Sequence, residues 1–327
     1  MHRRMILIGL MLVLAGCATP ATPEAQSSTT SGSFLALTDN HVHGIAFDRR
    51  ETDRIYLATH TGIFALTPDG RLSQVSTEKY DFMGFVAHPS DPNIFFGSGH
   101  PADGVNLGFV QSTDGGHTWK KLADVSAEGP VDFHAMTVSD ANPRLIYGWE
   151  DGNIYRSEDG GMNWRAVNRN PVKVLSLATD AKDDRILYLG TFTGLRKSMD
   201  RGETWQPITP VDEEPIHSIV SLSDGSLILA TDWDGLLQWN PQDTASAVQK
   251  LAPLPGGFVA TKVAINRNDS SMIVAASEGF VFRSRDGGVS WANALAAGEE
   301  VTETDVSSQK KSGTCSAAAD GHCDEDE

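Results

Sequence analysis

Ser112-Thr-Asp-Gly-Gly-His-Thr-Trp119 decides the fold, because it recurs. Ser157-Glu-Asp-Gly-Gly-Met-Asn-Trp164, Ser198-Met-Asp-Arg-Gly-Glu-Thr-Trp205 and Ser284-Arg-Asp-Gly-Gly-Val-Ser-Trp291 follow the same pattern, S-x-D-x-G-x-x-W. The aspartates are Asp114, Asp159, Asp200 and Asp286, spaced by 45, 41 and 86 residues. The last gap is two periods, which predicts a degenerate unit near Gly235-Leu-Leu-Gln-Trp-Asn240. Another, Thr67-Pro-Asp-Gly70, lies 45 residues before Asp114. The residue types explain the pattern. Asp accepts turn amides, Gly supplies positive φ in a tight hairpin, and Trp buries a large ring. A fixed period of this length is a repeat architecture.

Each unit also carries short strands. In the third, Asp132–Val138, Arg144–Gly148, Asn153–Arg156 and Trp164–Val167 read as four in succession. Four strands per about 40–45 residues is the spacing of propeller blades. No segment sustains a helical period. The expectation is an all-β propeller over 41–296 with six four-stranded blades, seven being the alternative count. Ring closure is expected to use Phe34–Leu37 or the strand after Trp291.

The boxes resemble the Asp-box (BNR) repeats of sialidases, sortilin-type receptors and related propellers. The early His-Val-His-Gly, Met-Gly-Phe and Ser-Gly-His-Pro segments resemble a group of bacterial lipoproteins commonly labelled glycosyl hydrolases of the sialidase-like superfamily. That resemblance covers roughly 41–291 and implies glycoside hydrolysis. The Phe-Arg-Ile-Pro motif that carries a sialidase's first arginine is absent, which argues against sialic acid cleavage.

The ends read differently. Arg3 and Arg4 precede the apolar run Met5–Leu14, too short to span a membrane, then Leu14-Ala15-Gly16-Cys17. This resembles a bacterial lipobox. It implies a lipoprotein signal over 1–17, a lipid anchor on Cys17 and a location outside the cytoplasm, in periplasm or at the cell surface. Residues 18–40 read as a flexible tether and 297–327 as a disordered acidic tail. In the tail, Cys315 and Cys323 read as a disulfide, or with His322 as a weak metal site. The formal net charge of -17 argues against a nucleic-acid partner. A membrane through the anchor, a protein or a glycan remain as partners.

Propellers work at the face that gathers the starts of the inner strands, so equivalent positions in the units matter more than the boxes. Asp114, Asp159, Asp200 and Asp286 are expected to be scaffold. Aligned, His43 matches Met83 and His134; His41 matches Asp81 and Asp132; His60 matches His100 and Asp151. With a one-residue gap His217 joins the His43 column, while unit four places Leu175 and Lys173 there. His41, His43, His60, Met83, His100, His134 and His217 are therefore candidate metal ligands. His with Met suits copper, with Met136 a further thioether, and His with carboxylate suits zinc. His88 and His117 fall outside the columns. For glycoside hydrolysis, which needs two facing carboxylates, Asp81 and Asp132 are the candidate pair. Asp151, Asp232 and Asp234 are alternatives, and Trp149 and Trp233 candidate stacking platforms. The residues leave three functions open: a binding module for a metal or small ligand, a glycoside hydrolase, or an assembly factor for membrane complexes.

Overall fold

Six core clusters count the blades. Each joins neighbouring sheets: Tyr56 and Ile63 pack with Phe82 and Phe95, Phe109 with Phe133 and Ile146, and Tyr147 with Val174 and Leu187. Tyr188 and Leu195 then pack with Ile216 and Leu229, Ile228 and Leu236 with Ile273 and Phe282, and Val274 and Val281 with Val42 and Leu57. The last cluster returns to the first blade, so the ring closes at six. This computed structural model describes residues 37, 40–101, 104–169, 173–243 and 247–295. The signal and Cys17, the tether up to residue 36, and the tail with Cys315 and Cys323 lie outside the described residues.

Every blade is an antiparallel meander of four strands in sequence order. Their innermost strands are Val42–Phe47, Asp81–Ala87, Ala135–Val138, Val174–Thr179, Ile216–Ser221 and Lys262–Asn266, for blades one to six. Outermost are Leu72–Gln74, Lys120–Ala123, Arg165–Arg169, Gln206–Asp212, Gln249–Lys250 and Ala292–Asn293. The second strands, such as Ile55–Thr59 and Leu187–Thr191, are buried throughout, as expected between two packed sheets.

Asp-box hairpins join third and fourth strands, as their sequences demand. In blade three the fully buried Ser157 hydroxyl accepts the amides of Gly161 (2.8 Å) and Asp159 (3.4 Å) and donates to the Asp159 carboxylate (2.9 Å). Asp159 in turn accepts the Met162 and Asn163 amides. Trp164 donates to the Gly161 carbonyl at 2.9 Å and packs edge-on against Phe109 and tilted against Phe133. Asp114, Asp200 and Asp286 make the corresponding bonds.

The degenerate unit expected near Gly235–Asn240 is blade five, with Leu236–Trp239 as its third strand and the hairpin after Asn240. Two strand bounds of unit three are corrected. The first strand of unit three begins at Ala135 rather than Asp132, because the Asp132 amide donates to the Glu150 carboxylate (2.6 Å) instead of a ladder. Its second strand runs on to Glu150, since Asp151 (φ 46°) and Gly152 (φ 81°) form a two-residue turn that keeps pairing to the tip. Of the expected closing segment Phe34–Leu37, residues 34–36 lie outside the described residues. The strand after Trp291 completes blade six, and Leu37 donates its amide to the Gly279 carbonyl at 2.8 Å.

Candidate metal centre at the channel mouth

A central channel of about 240 Å³ runs between the inner strands. His43, Met83, His134, Leu175, His217 and Lys262 line it, one from each blade. The ladder explains how four of them get there. Register slips between Val42 and Gly44, between Asp81 and Gly84, between Val174 and Ser176, and between Ile216 and Ser218. A bulge leaves a residue outside the ladder and re-aims its side chain. His43, Met83, Leu175 and His217 occupy those positions.

Blades one and two bring the densest group together. His43 Nε2 lies 3.3 Å from His60 Nδ1 and 3.4 Å from His60 Nε2. His60 Nδ1 lies 2.6 Å from Asp81 Oδ2, and His43 Nε2 is 3.8 Å from Asp81 Oδ1. One ligand atom from each of the three lies within 4.8 Å of the others. An ion held by N and O donors at about 2.0–2.2 Å separates them by about 3.3–3.6 Å; the His43–His60 spacing matches this, while the 2.6 Å His60–Asp81 contact is a hydrogen bond that an ion would have to replace. His41 flanks the group, its ring centroid 5.3 Å from that of His60. Burial pushes the His43 imidazole down to about 4, with His60 and Lys262 adding to the effect against the opposing pull of Asp81. A neutral imidazole is the form that binds metal. Asp81 Oδ1 is buried with no hydrogen-bond partner, a state that costs free energy unless something fills it.

His100, at the end of blade two's second strand, carries the group toward blade three. His100 Nε2 lies 4.0 Å from Asp81 Oδ2 and 3.7 Å from Asp132 Oδ2. Its Nδ1 donates to the Pro101 carbonyl at 3.1 Å, and His134 Nδ1 donates to the Asp132 carbonyl at 3.0 Å. Carbonyls only accept, so these contacts fix both tautomers. Burial raises the Asp132 carboxyl, partly offset by His134 and His100, and also raises Glu150. Gly99 makes the approach feasible: a Cβ there would sit 1.8 Å from the Asp81 carbonyl oxygen. At Gly84 a Cβ would meet Met136 Sδ at 2.5 Å, so blades two and three also close on a glycine.

The remaining candidates separate. His217 pairs with Asp232 at 2.6 Å on blade five. Asp234 pairs with Lys250, and Asp151 is a turn residue. Met136 is 8% exposed and packs against Gly84 in the contact between blades two and three. Trp149 is a core residue, 8% exposed, and offers no sugar platform, whereas Trp233 is 73% exposed. His88 Nδ1 caps a turn by accepting the Ser90 and Asp91 amides, and His117 Nδ1 donates to the Val75 carbonyl. The units' alignment stopped before blade six and so missed Lys262, a channel residue whose amine burial lowers. It also missed Glu214, 2% exposed, whose carboxylate accepts the amides of Trp233 and Asp234 and holds that turn. No pattern in the chain marks an acid that works on backbone amides.

The ring and its hairpins define the class: a six-bladed Asp-box propeller with a polar, histidine-rich channel mouth. Within that class the chain belongs to the family described as photosynthesis system II assembly factor YCF48, whose model matches residues 104–307. It is also 25% identical to xyloglucanase Xgh74A of Acetivibrio thermocellus over 317 aligned residues, covering 76% of this chain but 38% of the xyloglucanase. The chain thus spans under two-fifths of that relative. Among solved structures, the GH74 enzyme of Niastella koreensis superposes with TM-score 0.59 at 17% identity, over 80% of this chain and 47% of the other. YCF48 bound to a D1 peptide superposes with TM-score 0.50 at 17% identity, over 79% and 84%. At these identities the structures share the fold.

Proposed function

We propose that this protein is an extracytoplasmic propeller, anchored through Cys17, that holds a zinc or copper ion at its channel mouth. One observation carries the reading: His43, His60 and Asp81, from two blades and three separate strand ends, converge within 4.8 Å around a buried, partnerless carboxylate oxygen. The donors are imidazole and carboxylate, which suit zinc or copper(II); with Met136 in the core, the case for a thioether-rich copper(I) site weakens. His41 is close enough to add a further ligand or to screen the site. The test is metal content by mass spectrometry on protein purified without a histidine tag, then loaded and dialysed. Bound zinc or copper that is lost in His43→Ala and in Asp81→Asn supports the reading. Protein that retains neither ion overturns it.

A second reading is favoured by exposure on blades four and five. Trp233 and Phe192, 73% and 45% exposed, occupy equivalent turns between second and third strands. Exposed aromatics of this kind suit contact with an extended chain. The YCF48 family and the peptide-bound YCF48 support a polypeptide partner, and an assembly role for it; the xyloglucanase likeness supports a glycan. Trp233→Ala should weaken a polypeptide partner in pull-downs. A screen with aryl-glycosides and xyloglucan tests the glycan arm, with Asp81 and Asp132 as the acid and base candidates. Hydrolysis that survives both Asp81→Asn and Asp132→Asn would exclude them.

A further inference from the structure

We infer that the seam between blade six and blade one holds an oxyanion site, built on Arg283 and Arg285 and made for a carboxylate or phosphate group. It goes beyond the metal reading and shares no lining residue with the channel.

A comparison of two equivalent arginines carries it. Arg156 and Arg283 each precede the serine of an Asp box, on the third strands Asn153–Ser157 and Phe280–Ser284. Both are buried, at 5% and 7% exposed. Both reach the hairpin of the next blade. Arg156 donates to the Arg201 carbonyl at 2.7 Å, and Arg283 to the Pro68 and Thr67 carbonyls at 3.3 and 3.5 Å. The Nε of each is buried without an acceptor, so the difference between them lies in their carboxylates. Arg156 meets Glu158 at 2.7 Å and Glu203 at 3.4 Å. At the seam both glutamates are missing. Arg285 takes the place of Glu158, one residue after the box serine. Blade one's hairpin, between Gly62–Leu66 and Leu72–Gln74, is too short to carry a counterpart of Glu203. Among the described residues no carboxylate forms an ion pair with Arg283.

A like charge therefore stands where an opposite one is wanted. Burial pushes the Arg283 guanidinium below its ordinary pKa, Arg285 adds to that, and Asp53 opposes it. Asp53 is itself engaged by Arg285 at 2.9 Å. A buried charge in this state costs free energy until a counter-ion meets it.

There is room for that counter-ion. A cavity of about 390 Å³ opens beside the two arginines, walled by Pro68 and Gly70 of blade one and by Trp291 and Leu295 of blade six. Asp69, the one acid on its wall among the described residues, pairs with Arg71 at 3.1 Å. Planar guanidinium groups offer forked donors that match the oxygens of carboxylate and phosphate. The group has two sources. One is another molecule. The other is this chain, because Glu299 and Glu300 follow Leu295 by four and five residues, and four extended residues span up to about 14 Å.

The probe is inorganic phosphate, titrated by calorimetry at constant ionic strength into the full chain stripped of metal with chelator. Arg283→Met, which keeps an apolar stem, and Arg285→Ala should each weaken binding about tenfold or more. The Arg285 side chain is 53% exposed, so its truncation opens no core cavity if Arg283→Met proves unstable. Arg185→Ala, at an exposed arginine of blade four, should change nothing. The double variant Glu299→Gln/Glu300→Gln separates the sources. Phosphate binding that appears or tightens in it assigns the site to the chain's own glutamates, and binding already full in the wild type assigns it to another molecule. Phosphate bound by neither protein, or bound with unchanged affinity by Arg285→Ala, overturns the site and leaves the metal reading standing.

Discussion

At the scale of single residues, the site depends on two kinds of position. One supplies donors and the other supplies room. Gly99 belongs to the second kind, because a Cβ there would overlap the Asp81 carbonyl oxygen at 1.8 Å. Gly99→Ala must push blade two's first strand away from its second. Such overpacking costs about 1–3 kcal/mol, and the displaced strand carries Asp81 with it. Urea denaturation should show the loss of stability, and metal content should fall in the fraction that still folds. The Asp-box carboxylates make a separate prediction about pH. Hydrogen bonds from the Ser290 hydroxyl and amide, then from Ser284, hold the Asp286 carboxyl down to about 2. At Asp114 and Asp159 burial works in the opposite direction, but bonds from Thr118 and Asn163 outweigh it and the result is again about 2. In the unfolded chain a carboxyl titrates near 4. The unfolded state therefore binds more protons between these values, and the stabilisation present above pH ~4 is lost as pH falls toward 2. Asp286→Asn, which cannot titrate, should flatten that part of the stability profile measured by thermal unfolding from pH 5 to 2.

At the scale of the element, the unit of construction is the hairpin and the unit of function is the bulge. Within the hairpin the buried serine matters as much as the aspartate for which the motif is known. Ser157 Oγ satisfies two amides and is itself fully buried. Removing it strands buried donors, at about 1–3 kcal/mol. Ser157→Ala should thus destabilise the protein in urea while metal content stays at the wild-type level, because the hairpin is remote in function from the channel mouth. Ions lost from folded Ser157→Ala would contradict that division. The same contrast explains what could be read from the chain. The boxes were legible because a hairpin is local: Ser, Asp, Gly and Trp interact within eight residues, and four copies carry the signal. The inner strands were legible as columns of equivalent residues, which is why His43, Met83 and His134 were found. What alignment could not supply was the fine geometry. Met83 and Met136 lie two residues apart in the repeat frame, yet Met83 sits at a bulge facing the channel while Met136 also packs into the contact between blades two and three. Trp149 and Trp233 read alike as platforms, and only packing separates a core ring from an exposed one. Long-range contacts such as Asp132 to Glu150 and Glu214 to Trp233 leave no periodic trace.

At the scale of the whole molecule, the seam between blade six and blade one is the line that no backbone connection among the described residues crosses. Elsewhere a short linker joins each blade to the next. Here the ring is held by apolar packing of Val274, Ala276 and Val281 on Val42, Ile55 and Leu57, and by a few bonds. Asn266 donates to the Thr52 carbonyl at 2.7 Å, Arg283 reaches the Pro68 carbonyl at 3.3 Å, and Val42 donates to the Glu278 carbonyl at 2.9 Å. Leu37 and Ala294 share that cluster, with Leu295 packed against it, so the two ends of the described ring meet at the seam. A short linker can therefore join residue 295 to residue 37 without disturbing a strand. Closing so long a loop reduces the entropy of the unfolded chain by an amount worth on the order of 5 kcal/mol, if native strain is small. The linear protein opens first where blades six and one part, so the added bond also slows unfolding. The circular form should show a higher unfolding temperature by calorimetry, with its bound metal unchanged. Asn266→Ala, which weakens the seam, should cost the linear protein about 1 kcal/mol. It should slow or speed unfolding far less in the circular protein, where the linker holds the seam. Equal effects of Asn266→Ala on both unfolding rates would show that the ring opens somewhere else.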